Sequence, residues 1–229
     1  MNDALQKFIT LERETRFYIV RHGESTANLE RRIQGHSDYP LSENGKLQAS
    51  SAGTWLRSRN IAGVYTSPLA RARETAGILA AAASLPEPSV LPELIELDTG
   101  KFSGLTVEET RQRYPEEAER FSSMSWAAVT DAERPEALYS RALLVWERHV
   151  GEANKLSGDV LAVSHGGLIQ WLVRVTFGGT DWFPLLTTGN CNLFLLHAVP
   201  SVPGKMPFLQ WVYINHIIAD AEEQVPSVF

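Results

Sequence analysis

The chain has a single cysteine, Cys191, among its 229 residues, so it has no intramolecular disulfide and no cysteine-rich zinc framework. That scarcity sets the expectation of a reducing, cytoplasmic setting. No apolar run approaches the roughly 18 residues of a membrane helix. The opening stretch mixes Asp3, Lys7 and Glu12 into a short amphipathic pattern, so neither a signal peptide nor a membrane contact is expected. Positive charge is also in short supply. With 21 basic residues against 27 acidic ones, the net charge of −6 gives no global field for nucleic acid, and any bound anion must be held by a few local cations. Nucleotide signatures are missing too. There is no G-x-x-x-x-G-K-[ST] run, and no G-x-G-x-x-G follows the first strand. A serine-hydrolase elbow at Ser164 fails because Ala162 stands where that turn needs glycine.

What is present is an alternation of short apolar runs with amphipathic stretches, the pattern of an α/β domain. Arg16 to Val20 reads as a buried strand. Ser42 caps a helix with Leu47, Ala52, Trp55 and Leu56 on one face. Gly63 to Ser67 reads as a second strand, followed by helical spacing from about Leu69 to Ala83 and a short extended piece at Val90 and Leu91. The middle is more polar, with a capping box at Thr106 and Glu109 and an interruption at Pro115. From Pro135 to Lys155 the positions Leu138, Ala142, Val145, Trp146, His149, Val150 and Ala153 form one helical stripe. Asp159 to Ser164 has the near-continuous apolar character of a strand buried on both faces, with a helix from Leu168 to Phe177 after it. Asn192 to His197 and Leu209 to Asn215 read as closing strands. The expected fold is a three-layer α/β/α sandwich with a mostly parallel central sheet, as a single domain over 1–229.

Ligands of an open α/β sheet sit beyond the carboxyl ends of its strands. His22 and His165 fall there, with Arg21 beside the first and Arg71 near the start of the helix after the second strand. Two arginines and two histidines at one sheet edge suit a dianionic oxyanion, most simply phosphate.

These residues lie in blocks that match a known pattern. "VRHGEST" (Val20 to Thr26), "QGHSDYPLSENG" (Gln34 to Gly45), "TSPLARARETA" (Thr66 to Ala76), "VSHGG" (Val163 to Gly167) and "GNCN" (Gly189 to Asn192), together with Asn28, occur in the order of the histidine phosphatase superfamily. The chain resembles that family over most of its length. The resemblance implies that His22 is the nucleophile, that Arg21, Arg71 and His165 surround the phosphoryl oxygens, and that Asn28, Gln34, Gly35 and the backbone of Gly166 bind substrate. It implies no metal and no cofactor. The general acid would be a glutamate four residues before a glycine. Glu96 has that spacing to Gly100, and Glu93 is its competitor.

The resemblance also places a mainly helical cap insertion within 97–158. Where many relatives carry Gly-Glu-Ser before the long helix, the matching place is read as Pro135, Glu136 and Ala137, followed by Arg141. Arg111, Arg113, Arg120 and Arg134 are candidate contacts to a second acidic group, against a background of glutamates that reads as one solvated surface. Trp126 and Trp182 are candidates for a substrate wall or for core, and His36 lies close enough to the first block to meet substrate. His149 is expected to be packed, His197 and His216 to lack partners, and Cys191 to form no catalytic dyad.

The expected activity is hydrolysis of a small phosphomonoester through a phosphohistidine, by a monomer or homodimer. A phosphoglycerate-type mutase is the alternative reaction. A phospho-ligand-binding protein on the same fold is the non-enzyme alternative, and it would require the loss of a catalytic group.

Overall fold

The computed structural model describes residues 2–183, 185–202 and 205–218. In chain order the elements are α1 (Asp3–Lys7), β1 (Thr15–Arg21), α2 (Thr26–Leu29), α3 (Glu43–Leu56), β2 (Ile61–Thr66), α4 (Ala70–Ala83) and β3 (Ser89–Val90), followed by α5 (Val107–Arg113), α6 (Pro115–Met124) and α7 (Pro135–Ala153), and then β4 (Asp159–Ser164), α8 (Gly166–Thr176), β5 (Leu193–Val199) and β6 (Phe208–His216). Short 3-10 turns at Pro92–Leu94, Gly100–Phe102 and Ser125–Ala128 punctuate the excursion between β3 and β4.

The six strands form one sheet in the order β3-β2-β4-β1-β5-β6. The pairs β3/β2, β2/β4 and β4/β1 are parallel, and β1/β5 and β5/β6 are antiparallel. Every residue of β4 is buried, as its apolar run Val160–Val163 requires of a strand flanked on both edges and covered on both faces.

Side chains alternate across β1. Phe17 and Ile19 join one apolar cluster with Phe8 of the N-terminal segment, Trp146 of α7 and Trp171 of α8, while Tyr18 and Val20 join another with Ala49 and Leu56 of α3 and Leu79 of α4. The sheet is therefore the middle of three layers, as its period-two pattern demands. Trp146 anchors the first cluster. It packs against Phe8 and Phe17 with ring centroids 5.3 and 5.9 Å away, and its Nε1 donates to the Leu172 carbonyl at 3.0 Å.

The seven stripe positions of α7 are all buried, including His149. The stripe expected in α3 is only partly found. Ala52 and Leu56 are buried, but Leu47 is 68% exposed, and the helix instead buries Gly45, Gln48, Ala49 and Gly53. The capping box at Thr106 and Glu109 forms with both of its hydrogen bonds, and Pro115 occupies the first turn of α6, where its missing N–H costs nothing. His197 and His216 do have partners: His197 Nε2 lies 2.8 Å from Glu14, and the His216 ring stacks on Tyr213 with centroids 4.4 Å apart. Among the described residues no helix is long and apolar enough to cross a membrane.

Candidate active site

Register brings the site together. Arg21 pairs with Ser164 at the carboxyl ends of the neighbouring parallel strands β1 and β4, so the next residues, His22 and His165, lie side by side with ring centroids 5.1 Å apart. The His22 N–H donates to the Ser164 carbonyl at 2.9 Å, and the Ser67 N–H at the end of β2 donates to the Val163 carbonyl at 3.1 Å. Three strand ends thus converge on one edge.

His22 is almost fully buried, and its Nδ1 lies 2.7 Å from the Gly23 carbonyl. A carbonyl can only accept, so Nδ1 carries the proton and Nε2 holds the lone pair. Burial, followed by the Arg71 and Arg21 charges, holds the imidazole well below its usual protonation range, against a smaller opposing effect of the Gly23 hydrogen bond. The ring is neutral at physiological pH. Its peptide is clamped as well, since the Asn190 amide donates to the His22 carbonyl at 3.0 Å and the Gly23 N–H donates to Thr75 Oγ1 at 2.9 Å.

Arg71 extends from the first turn of α4 and is wholly buried. Its two terminal nitrogens donate to the carbonyls of Ser37 and Gly35, both at 2.8 Å, and its Nε has no partner among the described residues. Burial pulls its pKa down to about 10, so it stays charged at neutral pH. Gly35 is placed to receive it by a left-handed backbone (φ +50°), and a Cβ there would press on Thr99 and Ser103. Arg21 is also buried and is lowered chiefly by burial, and one of its terminal nitrogens donates to the Thr188 carbonyl. The two buried guanidiniums and the neutral His22 imidazole line a pocket whose electrostatic complement is an anion, and the neutral His165 ring lies beside His22 without being part of that lining.

Glu96 closes the pocket from the loop after β3. His165 stands at the N-cap of α8 without a side-chain capping bond, and Glu96 supplies the acceptors in its place: Oε2 takes the Gly167 N–H at 3.2 Å, and Oε1 takes those of Leu168 at 3.1 Å and Leu97 at 2.8 Å. Glu93 points elsewhere. One of its oxygens lies 3.4 Å from Arg148, and it does not line the pocket.

Asn28 and Gln34 share a wall with these groups. The Asn28 oxygen accepts from Ser25 N and Oγ at 3.0 and 2.9 Å, and the Gln34 oxygen is 2.9 Å from the same hydroxyl. With its oxygen engaged by Ser25 and Asn190, the Asn28 side chain lines the pocket. Gly166, Gly167 and Trp126 also line the pocket. Trp182 instead packs on Trp171 as core, with centroids 5.2 Å apart. His36 meets the loop that carries Glu96, its Nε2 lying 2.8 Å from the Glu96 carbonyl.

Arg111, Arg113, Arg120 and Arg134 are exposed and do not line the pocket. The further cation that does is Arg32, which bonds Glu109 at 2.9 Å and Glu30 at 2.6 Å. Arg141 pairs with Glu133, eight residues before it. Phe121, Ser125, Gln170, Leu185 and Thr188 complete the wall without any local sequence signal. Arg32 was findable only as a basic residue two positions before Gln34. Among the described residues no cluster of three or more His, Cys, Asp or Glu is placed to hold a metal ion.

The sequence profile of the histidine phosphatase superfamily (branch 1) matches residues 17–200. A probable 2-carboxy-D-arabinitol-1-phosphatase of Arabidopsis thaliana is 32% identical over 229 residues, covering 99% of this chain and 45% of its own length. The chain thus spans about half the length of that relative. A phosphoglycerate mutase-like protein of the same plant is 36% identical over 206 residues, covering 87% of this chain and 85% of its own. Among solved structures, a mycobacterial glucosyl-3-phosphoglycerate phosphatase in complex with VO3 superposes with a TM-score of 0.77 at 25% identity, over 88% of this chain and 99% of that one.

Proposed function

The chain belongs to the histidine phosphatase superfamily, and we propose that it hydrolyses a small phosphomonoester through a phosphohistidine on His22. One observation carries this reading. A buried, neutral imidazole has its proton tied to the Gly23 carbonyl while two buried guanidiniums stand beside it.

The chemistry follows from that arrangement. The His22 Nε2 lone pair attacks phosphorus, the bond to the ester oxygen breaks, and Glu96 gives its proton to the departing oxygen. Water then attacks the phosphohistidine, the P–N bond breaks, and the Glu96 carboxylate takes the proton from that water. Inorganic phosphate leaves and His22 is restored. Arg21, Arg71 and His165 face the equatorial oxygens, where charge accumulates, and Asn28, Gln34, Gly35 and the Gly166 backbone complete the binding set. With that positive charge supplied by side chains, the step needs no metal. A plant relative is named a metal-independent phosphoserine phosphatase.

In this reading 97–158 acts as a cap within a single domain over 1–229, with Phe121, Ser125 and Trp126 meeting the substrate body. The protein works in the cytoplasm as a monomer or homodimer. Relatives named as mutases give the second reading weight, so a phosphomonoester panel is run beside a phosphoglycerate mutase assay. Rapid acid and alkaline quenches with labelled substrate should yield an alkali-stable, acid-labile label on His22, and EDTA should leave turnover intact. Turnover preserved in His22→Ala would overturn the mechanism.

A further inference from the structure

Ser67, the residue after β2, is wholly buried. Its Oγ lies 2.7 Å from His165 Nε2 and accepts from the Leu69 N–H at 3.3 Å. The other ring nitrogen, His165 Nδ1, is buried and has no partner among the described residues.

Donor accounting settles which atom holds the proton. A serine hydroxyl has one hydrogen to give, and a neutral imidazole has one N–H and one lone pair. If Nε2 carried the hydrogen, the Ser67 oxygen would receive two donors while its own hydrogen had no acceptor. A buried lone pair would also be stranded on Nδ1, and each unmet group costs free energy when its atom is buried, as those of Ser67 and His165 are. If Nε2 accepts instead, every group of Ser67 is used and the ring proton sits on Nδ1. The nitrogen without a partner is then an N–H, in a ring beside His22 and flanked by Arg21 and Arg71. A donor in that setting is matched by an anionic oxygen. Burial and the neighbouring guanidiniums keep the ring uncharged, so it has a single donor to place.

We propose that Ser67 is a positioning residue of this site: its hydroxyl donates to His165 Nε2 and so holds the His165 proton on Nδ1, the nitrogen left to bond a phosphoryl oxygen. The proposal rests on the phosphoryl-transfer reading above. Ser67 touches no substrate and acts only through the imidazole.

The test uses the full chain labelled with ring-¹⁵N histidine and long-range ¹H–¹⁵N correlation, with His165 assigned by its loss in His165→Asn. The wild type is expected to show His165 protonated at Nδ1, with that signal shifting when inorganic phosphate is added. Ser67→Ala should populate the Nε2–H form and lower kcat/KM on a phosphomonoester by about 10- to 100-fold, the range of a hydrogen bond to a charged group. Ser67→Thr, which keeps the hydroxyl, should restore most of it. Protonation at Nε2 in the wild type, or an unchanged tautomer in Ser67→Ala, overturns the proposal. The wild-type spectrum decides even if Ser67→Ala does not fold. Because the tautomer is read without turnover, an Nδ1–H signal in a chain that hydrolyses no phosphomonoester would uphold the Ser67 bond and overturn the enzymatic reading alone.

Discussion

Arg141 and Glu133 form a two-point ion pair, with nitrogen–oxygen distances of 2.9 and 2.5 Å, at the start of α7. The same guanidinium reaches the carbonyls of Glu93 and Ile95 at 3.1 and 2.5 Å and that of Glu96 at 3.4 Å. Glu133 therefore aims an arginine that holds the loop carrying Glu96, which links the long helix to the wall of the pocket.

Arg141→Lys is expected to break this linkage, because an ammonium has no planar fork with which to hold the carboxylate and the three carbonyls together. Stability should fall by about 2 kcal/mol, in the range of hydrogen bonds to charged groups, and kcat should fall further as Glu96 loses its anchor. Urea denaturation beside steady-state kinetics checks both. Unchanged kcat would show that the Glu96 loop holds its place without Arg141.

Glu96 and Glu93 separate by leaving group. Glu96→Gln should slow enzyme phosphorylation from an alkyl phosphate about 10²- to 10⁴-fold, the usual worth of a general acid, and far less from p-nitrophenyl phosphate, whose leaving oxygen needs little protonation. Glu93→Gln should show no such dependence, since that side chain faces Arg148 outside the pocket. Pre-steady-state rates are needed so that slow dephosphorylation does not mask the effect. Equal losses with both leaving groups would assign Glu96 to positioning.

Gly167 is the close-approach point. A Cβ there would stand 2.7 Å from Glu96 Oε1 and press into the packed Leu97 side chain. Gly167→Ala should keep the fold, since alanine favours the helix that begins there, yet push the carboxylate off its Gly167 and Leu168 donors. The expected signature is the leaving-group dependence of Glu96→Gln at reduced size, with formation of the His22 adduct from p-nitrophenyl phosphate nearly intact. A wild-type rate on alkyl phosphates would contradict the contact.

His149 predicts a pH dependence of stability. Burial, opposed by smaller effects of the Val145 carbonyl and of Glu152 and Glu93, lowers its pKa from 6.5 to about 4. Below 6.5 the unfolded chain takes up a proton that the folded chain does not. Stability therefore falls as pH drops from 6.5 to about 4 and levels off beneath. The slope is about 1.4 kcal/mol per pH unit, and the loss about 3 kcal/mol over that window. His149→Phe, which fills the space among Phe17, Tyr65 and Trp146 without a titrating nitrogen, should flatten the acid limb. Denaturation curves at pH 7.5 and 5.0 test this, and equal pH slopes for the two proteins would refute it. His22 and His165, lowered by burial and by neighbouring positive charge, add to the wild-type slope in the same direction.

The sequence by itself determined whatever repeats with the period of one element or sits next to a strand end. β4 was legible to the residue because a short, near-continuous apolar run ending at a polar loop suits a strand buried on both faces, and all six of its residues are buried. The buried face of α7 followed from spacing alone, and His22 and His165 were placed because each directly follows a strand, although the register that sets them side by side came only from the fold. Only the tertiary structure decided contacts between elements that share no local period. Leu47 turns outward because α3 meets α4 through small residues: at Gly53 a Cβ would lie 2.5 Å from the Leu79 carbonyl, so the close face excludes a large side chain. The partner of Arg141, the seat of Glu96 on the first turn of α8, and the wall built from Arg32, Phe121, Ser125 and Gln170 were likewise unreadable. Each depends on where separate helices and loops come to rest against the sheet, which packing of their apolar faces sets and no single stretch of sequence encodes.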